Sequence, residues 1–428
     1  MVIIVPAAKC ILELYAKGAW HVAAEVRADD ERGGIRSSTH FEYDFDYLDA
    51  VMDALGARDE RAVSCRYPVG YGAHDEPTWP AFLLDVIPSG AARRHWEAEL
   101  RLPDTPSSDW AVLTAGGGNP PGNLRVAGAA APVAAHPGFP RTDVLERAEG
   151  FIEYARRQGA SIAGGSGAAG DAPKFLLRED HDGRWHADGA LDDERTAACW
   201  IVKFPRSPRA ADRLVLEAEA IYYRLAARLG ARVAGPLLWE RDCLFIPRFD
   251  RPVAAGYVAR PGMESLCSLA GVSDCGVAIE KETLAAAVTR VTTQPARELE
   301  ELLLRDILDV ALGNTDNHAR NTAVLKQDGQ VALTPLYDFA PMVLDPQGIA
   351  RVCRWHAEAE GYPRWAEVAE ALDPLGLDAA RTKARLHELG SAIAELPVML
   401  ADEGTPARVT SALEARIARV ARSLSEVR

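Results

Sequence analysis

The chain has 428 residues, which at about 150 residues per domain predicts two or three domains. Its 48 lysine and arginine residues are outnumbered by 62 aspartate and glutamate residues, which leaves a net charge of −14. This charge disfavours sequence-independent binding to nucleic acid, because such binding requires the neutralisation of phosphates. Apolar residues make up 48% and charged residues 26%, as in ordinary globular proteins. No uncharged stretch approaches the ~18 apolar residues of a membrane span.

The cysteines and the N-terminal segment indicate a cytoplasmic protein. The seven cysteines are odd in number and scattered, without a Cys-x-x-Cys pair. This spacing argues against a zinc site and against the disulfide framework of a small secreted domain. The first residues lack a basic region, and their short apolar run ends at Lys9, so we predict no signal peptide. We therefore expect reduced thiols and no contact with a membrane.

The first part of the chain predicts a small α/β subdomain. Residues 1–125 mix strand-like runs such as Cys10–Tyr15 with helical runs such as Ala91–Leu100. Residues 126–150 contain the stretch Ala127–Pro140, which is rich in alanine, proline and glycine and has little periodicity. Such composition is typical of a linker or domain boundary.

The next part of the chain predicts a β-rich lobe at residues 151–252. A single helix interrupts its strands, with Ser207 as N-cap, Pro208 as the first helical residue and Gly230 just past the end. Helical periodicity then dominates residues 253–428, so we predict an α+β fold with a helical second lobe. The predicted strands of the first lobe are Lys174–Arg178, Arg184–Ala187, Cys199–Phe204, Gly235–Glu240 and Cys243–Pro247.

A glycine-rich loop precedes the first of these strands. Gly165–Gly170 matches GxGxxG, a pattern whose backbone N–H groups approach phosphate oxygens. A dinucleotide-binding turn needs a helix directly after the glycines, whereas here Pro173 intervenes and a strand begins at Lys174. The serine-hydrolase motif GxSxG is also excluded, because Ala168 occupies the position of its second glycine. The loop is therefore predicted to cover phosphate groups.

One lysine lies inside an apolar strand. Lys203, within Trp200–Pro205, either faces water or holds the α- and β-phosphates of a nucleotide while it pairs with a glutamate of the following helix. That helix offers Glu217 and Glu219, of which we prefer Glu219. A surface position remains the alternative for both glutamates.

The strongest sequence signal for a function is the run Gly-Asn-Thr-Asp-Asn-His-Ala-Arg-Asn at Gly313–Asn321. In it Asp316 and Asn321 have the Dx4N spacing of kinase catalytic loops, where the aspartate orients the accepting hydroxyl and the asparagine binds magnesium. A predicted hairpin around Gln327–Gly329 then returns Asp338 toward Asn321 as a second metal ligand. Acidic and amide residues in turns are usually only turn formers, but their order behind the loop and the lysine disfavours that interpretation. His318 lacks a paired metal-ligand spacing, which favours a structural role.

These motifs resemble the HipA family, the serine/threonine-kinase toxins of bacterial toxin–antitoxin pairs. The resemblance covers nearly the whole chain, and it implies a two-lobed protein-kinase-like fold preceded by a small N-terminal domain. It also implies ATP and Mg2+ as cofactors, a protein substrate such as an aminoacyl-tRNA synthetase, and a helix-turn-helix antitoxin through which alone DNA is contacted. The matching segments are Ala172–Lys174, Trp200–Pro205, Phe249–Arg251, Gly313–Asn321 and Tyr337–Asp338.

The resemblance also implies a role for each matching position. Asp316 is expected to be the catalytic base, Asn321 and Asp338 the magnesium ligands, and Pro247–Phe249 the hinge whose backbone meets adenine. The implied nucleotide-binding residues are Ala169, Gly170, Asp171, Ala172, Pro173, Lys174, Lys203, Pro247, Arg248, Phe249, His318, Asn321, Tyr337 and Asp338.

The sequence departs from the family in two places and leaves two other functions open. Its glycine loop is longer, so either Ser166 or Ser161 is the expected autophosphorylation site, and Arg320 stands where lysine is common. One alternative is a small-molecule phosphotransferase of the aminoglycoside-kinase type, which typically has His-Gly-Asp where this chain has Asn314-Thr-Asp316. The other is a non-catalytic corepressor, which the intact set of predicted catalytic residues disfavours.

Overall fold

The computed structural model describes residues 8–129, 136–158, 161–162, 173–254, 256–274 and 277–428. The glycine loop with Ser166, Ala169, Gly170, Asp171 and Ala172 therefore lies outside the described residues, and only the backbone of Ser161 is described. Within the described ranges, no helix combines the length and the apolar character needed to cross a membrane.

The N-terminal domain is an antiparallel sheet of five strands with short helices packed beside it. Strand order is β4-β3-β2-β1-β5, and the first two strands form a hairpin whose turn places Lys17 and Gly18 at positive φ, as tight hairpin turns require. Alternate residues of the first strand, Leu12 and Leu14, are fully buried. The strands are β1 Ala8–Ala16, β2 Ala19–Ala28, β3 Thr39–Tyr43, β4 His74–Glu76 and β5 Leu124–Val126; the helices are α1 Phe45–Ala50, α2 Leu83–Val86, α3 Gly90–Leu100 and α4 Asp109–Gly116.

The second domain is a mixed lobe around a seven-stranded sheet. Its main strand order is β11-β12-β10-β8-β9-β6, with β7 paired to β8. Asp182-Gly183 forms the predicted turn between β8 and β9, with Gly183 at a φ of +75°. The strands are β6 Phe139–Pro140, β7 Ser161–Ile162, β8 Lys174–Asp180, β9 Arg184–Ala187, β10 Thr196–Lys203, β11 Leu238–Glu240 and β12 Cys243–Pro247; the helices are α5 Arg141–Leu145, α6 Glu149–Arg157 and α7 Ala210–Arg228.

Two details of this lobe differ from the prediction. Helix α7 begins at Ala210 with Arg209 as its N-cap, because the Ser207 hydroxyl donates to the Asp212 carboxylate instead of capping the helix. The second half of the predicted linker carries regular structure: β6 pairs with β9, and Val144 of α5 is packed into the core of this sheet.

The C-terminal part is mainly helical and also contains small sheets. The sheet β15-β16-β17 includes the predicted hairpin around Gln327–Gly329. Its strands are β13 Val253–Ala254, β14 Tyr257–Val258, β15 Gly262–Ser265, β16 Ala323–Gln327, β17 Gln330–Leu333, β18 Glu358–Ala359 and β19 Tyr362–Pro363; its helices are α8 Leu266–Ala270, α9 Lys281–Val291, α10 Pro295–Ala311, α11 Trp365–Leu372, α12 Ala379–Ala394, α13 Leu396–Asp402 and α14 Ala407–Ser425.

The largest core joins the two lobes. Helix α7 of the β-rich lobe contributes Ile221, Tyr222 and Leu225 to the same apolar cluster as α9, α10 and α14. Helix α7 is packed on the helical lobe, and it is the next element after β10 in the chain. The end of β10 is therefore held at the boundary between the lobes. This boundary carries the candidate site.

Charged side chains join the N-terminal domain to both lobes. The Ser64 hydroxyl donates to Glu264 Oε1 of β15 at 2.6 Å, and Lys326 Nζ of β16 donates to the Ala62 carbonyl at 2.9 Å. On the other side, the Arg251 guanidinium donates to the carbonyls of Pro120 (2.9 Å) and Gly122 (2.7 Å). All three charged side chains are nearly inaccessible to solvent.

Candidate active site

A cavity of about 170 Å³ lies where the two lobes meet the N-terminal domain. One end of this cavity is apolar and the other is charged. The apolar end is lined by Leu176, Ile201, Ala234, Ile246, Phe249 and Leu336, and the charged end by Lys174, Lys203, Arg320, Asn321 and Asp338. A cavity that combines apolar side chains with lysine and arginine side chains suits a nucleobase joined to phosphates.

Two lysines from neighbouring strands approach one carboxylate of the charged end. Lys203 ends β10, Lys174 begins β8, and the antiparallel register pairs them directly, which places their side chains on the same face of the sheet. The Lys203 ammonium donates to Glu219 Oε1 of α7 at 2.6 Å and to the Asp338 carboxylate. Lys174 Nζ lies 3.1 Å from both carboxylate oxygens of Asp338.

These neighbours set the charge of each group. Burial acts to raise the pKa of Asp338, but Lys174 and Lys203 outweigh it and hold this pKa far below its usual range. Burial acts to lower the pKa of Lys203, and the two carboxylates raise it instead. For Glu219, burial prevails over the attraction of Lys203 and raises the pKa. Asp338 is therefore an anion at neutral pH, with its side chain 24% exposed toward the cavity.

The backbone holds Asp338 in an uncommon conformation. Its φ is +51°, a left-handed value that non-glycine residues seldom adopt. The preceding residues fix this geometry, because the Tyr337 hydroxyl donates to the Arg320 carbonyl at 2.6 Å and the Leu336 N–H to the Arg232 carbonyl at 2.8 Å. Such strain persists only where the surroundings enforce it, and it is concentrated at functional sites.

The predicted catalytic loop follows the end of α10. Gly313 stops the helix with a φ of +66°, and a Cβ atom there would lie 2.6 Å from Val343 Cγ1. The Asn317 side-chain oxygen accepts from the backbone N–H of Val352 at 2.9 Å. Asn321 Nδ2 donates to the Asp316 carbonyl at 2.8 Å, so its Oδ1 is left available to the cavity that Asn321 lines.

Asp316 and His318 lie on this loop outside the lining of the cavity. His318 Nε2 is 3.5 Å from Asp316 Oδ1. Burial, with a smaller contribution from Arg320, lowers the pKa of His318 to about 4. The imidazole is therefore neutral at neutral pH, and the Asp316 side chain stays 20% exposed beside it.

The hinge between the lobes offers two backbone groups on one edge. The Arg248 N–H donates to the Cys199 carbonyl across the sheet at 3.0 Å. Residues on either side of a bonded position in an antiparallel ladder face the opposite edge, so the Pro247 carbonyl and the Phe249 N–H are directed away from β10. Both Pro247 and Phe249 line the apolar end of the cavity.

The guanidinium group of the buried Arg248 side chain is bonded to carboxylates of the protein. Its guanidinium bonds Asp250 at 2.9 Å and 2.6 Å and also contacts Asp188. Together with Arg178 and Arg251, these carboxylates form a buried ionic network beneath the hinge. The network stiffens the segment whose backbone faces the cavity.

Asp85 and Arg320 are among the cavity residues that the sequence analysis did not assign to the site. Asp85 of α2 lines the cavity and accepts from the Ser265 N–H at 2.8 Å; burial raises its pKa, against an opposing effect of Arg320. Its signal in the sequence is a single carboxylate within the apolar run Phe82–Ile87. Arg320 was recognised as a departure from the family but not as part of the cavity wall.

The donor atoms at the charged end fit magnesium. One carboxylate and one amide oxygen, from Asp338 and Asn321, are the hard oxygen ligands this ion prefers, and magnesium commonly completes its shell with phosphate oxygens and water. Across the described part of the chain, no cluster of three or more histidine, cysteine, aspartate or glutamate side chains is arranged to hold a metal without such help.

Comparison with known proteins places these features in context. The family described as HipA-like C-terminal domain matches residues 166–396, just over half of the chain. A protein of Sinorhizobium fredii (strain NBRC 101917 / NGR234) named "Putative kinase Y4mE" is 33% identical over 141 residues, which cover 30% of this chain and 33% of that protein. The chain thus aligns with about a third of the length of this relative.

A solved structure resembles nearly the whole chain. It is HipA of Shewanella oneidensis MR-1, solved with HipB and its operator DNA; it is 18% identical, covers 97% of this chain and 96% of its own, and has a TM-score of 0.66. This likeness confirms the predicted two-lobed, kinase-like fold with an N-terminal domain.

Proposed function

The chain belongs to the HipA-like family, and from this premise we propose that it is an ATP- and magnesium-dependent serine/threonine protein kinase, the toxin of a toxin–antitoxin pair. The observation that carries the proposal is that Lys203, paired to Glu219, contacts Asp338. Lys203 and Asp338 line one cavity together with Asn321. A lysine paired to a helix glutamate, beside a carboxylate and an amide, is the set that positions a nucleotide triphosphate in kinases.

Each group has a distinct task in the proposed reaction. When ATP binds, the Lys203 and Lys174 ammonium groups exchange part of their contact with Asp338 for phosphate oxygens. Asp338 and Asn321 would hold Mg2+, which would supply positive charge beside the phosphates. Asp316 orients the accepting hydroxyl and takes its proton as the new bond to the γ-phosphorus forms; the bond between the γ-phosphorus and the bridging oxygen breaks, and ADP leaves.

The adenine base is proposed to lie at the apolar end. The Pro247 carbonyl can accept from the exocyclic amino group, and the Phe249 N–H can donate to a ring nitrogen on the same edge. Leu176, Ile201 and Leu336 supply apolar contact to the ring faces. His318 is proposed to support the loop in its neutral form instead of contacting the nucleotide.

The proposed partners follow from the family. We infer a helix-turn-helix antitoxin related to HipB, a protein substrate such as an aminoacyl-tRNA synthetase, and a cytoplasmic location. The structure of the Shewanella oneidensis protein includes HipB and operator DNA, which supports such a partner. The net charge of −14 supports contact with DNA through the antitoxin instead of directly.

Transfer of labelled phosphate from ATP into a cell lysate tests the proposal. Asp316→Asn should bind ATP like the wild type yet transfer phosphate about 10²–10⁴-fold more slowly, the usual loss when a positioned base is removed. Asp328→Asn is the matched control, because Asp328 lies in the exposed β16–β17 turn. Equal transfer by wild type and Asp316→Asn would refute the assignment.

The same assay separates the alternatives. Label that appears only in small molecules would indicate the aminoglycoside-kinase type of activity. ATP binding without transfer to any acceptor would indicate a corepressor. We also propose Ser166, or else Ser161, as the autophosphorylation site; mass spectrometry of the purified protein after incubation with ATP should find phosphate on one of them, and its absence from both would refute this.

A further inference from the structure

A second cavity lies beside the catalytic loop, within the helical lobe. Its volume is about 290 Å³, and its lining consists of Thr315, Arg351, Arg354, Glu360, Gly361 and Arg416. None of these residues lines the cavity between the lobes. Thr315 directly precedes Asp316, so their Cα atoms are about 3.8 Å apart. The second cavity is therefore separate from the proposed ATP site and adjacent to the proposed catalytic base.

Two buried polar groups of this cavity lack a hydrogen-bond partner. Arg351 is 5% exposed and Thr315 is 8% exposed. In the part of the chain that the structure describes, neither Arg351 Nη1 nor Thr315 Oγ1 has a partner. A desolvated donor without an acceptor is costly and uncommon in folded proteins. Both residues contribute to the lining of the cavity.

Arg351 is ordered independently of any ligand. Its Nη2 lies 3.1 Å from Asp306 Oδ1 and 3.3 Å from Glu358 Oε2. These contacts use one edge of the guanidinium and leave Nη1 as the remaining donor. A side chain that is already fixed loses little conformational entropy when it binds.

The lining is strongly cationic although the protein is acidic. Arg354 is half exposed, and its Nε lies 3.9 Å from Oε1 of Glu358, which is outside the lining. Arg416 donates to the Val310 carbonyl at 3.3 Å. The acidic lining residue Glu360 is largely exposed and lies 3.3 Å from Arg419 outside the lining. The lining thus carries three guanidinium groups, one hydroxyl and one largely exposed carboxylate.

We propose that this cavity binds an oxyanion, a carboxylate or a phosphate, carried by the substrate protein close to the hydroxyl that accepts the γ-phosphate. The proposal rests on the kinase function proposed above. Guanidinium groups match both oxyanions in charge and in geometry. The enzyme therefore selects serine or threonine residues near an acidic or phosphorylated neighbour.

Peptide phosphorylation tests the selectivity. Serine-centred peptides carry glutamate, phosphoserine, glutamine or lysine at one flanking position at a time. The wild type should prefer an oxyanion at one position by about tenfold or more over glutamine, as expected for a charge-assisted hydrogen bond. The double variant Arg354→Gln, Arg416→Gln should reduce this ratio to below about twofold, and the ratio of glutamate to phosphoserine peptides identifies the preferred source.

The control is Arg422→Gln, which removes an exposed cation from the same helix, α14, and lies outside the cavity lining. Arg351 is left intact, because its removal would strand the buried Asp306 and Glu358. Equal ratios for the double variant and Arg422→Gln would overturn the proposal, as would a wild type that is indifferent to the flanking charge.

A binding measurement separates this proposal from the kinase function. Inorganic phosphate, compared with chloride at equal ionic strength, should raise the thermal midpoint of the wild type and of Arg422→Gln by more than that of the double variant. If no peptide is phosphorylated but this pattern holds, the kinase proposal fails and the anion site stands. If peptides are phosphorylated and phosphate stabilises all three proteins equally, the anion site fails alone.

Discussion

Replacing Asp309 by asparagine should stabilise the protein at neutral pH. Asp309 lies on α10, accepts from Asn314 Nδ2 at 2.8 Å, and an asparagine keeps that acceptor oxygen. Burial, followed by a smaller repulsion from Asp306, raises the pKa of Asp309 to about 6, against the opposing attraction of Lys281 and Arg351. The charged form is thus the unfavourable one in the folded protein.

The magnitude follows from linkage. Between the ordinary pKa of 3.8 and about 6 the folded protein retains a proton that the unfolded chain loses, so the contribution of Asp309 to stability falls as pH rises through this window. A rise of about two pKa units corresponds to roughly 3 kcal/mol. Because Asp309 is only partly buried, we take this as an upper bound and expect Asp309→Asn to gain about 1–3 kcal/mol above pH 7.

The assay is urea unfolding followed by tryptophan fluorescence between pH 4 and 8. The midpoints of wild type and Asp309→Asn should coincide near pH 4 and diverge as pH rises. Asp306→Asn should have the opposite effect on stability. Arg351 and Lys281 overcome burial and lower the pKa of Asp306 to about 2, so the Asp306 carboxylate stabilises the folded protein above pH 4, and this stabilisation is lost as pH falls toward 2. Parallel pH curves for wild type and Asp309→Asn would refute the reasoning.

Two further predictions concern packing and protonation. A Cβ atom at Gly262 would lie 2.6 Å from Lys326 Cε and 2.9 Å from Asn123 Oδ1, so Gly262→Ala should lower stability by about 1–3 kcal/mol. Gly150 occupies an open position on α6, so Gly150→Ala should raise stability by up to about 1 kcal/mol. Thermal melting that ranks the two variants the other way contradicts this prediction. The imidazole of His318 should remain neutral as pH falls from 8 to 5, because burial lowers its pKa to about 4; an NMR titration with a midpoint near 6.5 contradicts this.

Strands bounded by turn residues were predicted correctly from short stretches of sequence. The bounds of β9 and β12 coincide with the predicted Arg184–Ala187 and Cys243–Pro247. The Asp182-Gly183 turn sets the start of β9, and β12 is a continuous apolar run. The start of α7 was wrong, since the Ser207 hydroxyl is engaged by Asp212, a competing contact that a capping rule does not include.

The site was predictable to the extent that its members lie close in sequence or follow a motif. Asp316 and Asn321 have such spacing, and Glu219 follows Lys203 on the next helix. Asp85 reaches the cavity from a different domain, and its position depends on a tertiary contact with Ser265. The arginine-lined cavity likewise depends on packing, because Arg354 and Arg416 come from distant parts of the chain.

The polar contacts between the N-terminal domain and the two lobes link the stability of these parts of the chain. A fragment that began at residue 136 would leave Glu264 without Ser64, Lys326 without the Ala62 carbonyl and Arg251 without two backbone acceptors. These charges would keep partners within the remaining chain, such as Asp250 for Arg251 and Ser268 for Glu264, but contacts with water would replace their contacts across the domain boundary. The N-terminal domain and the two lobes therefore share one stabilising network, and truncation at the connecting segment should lower the stability of the part that remains.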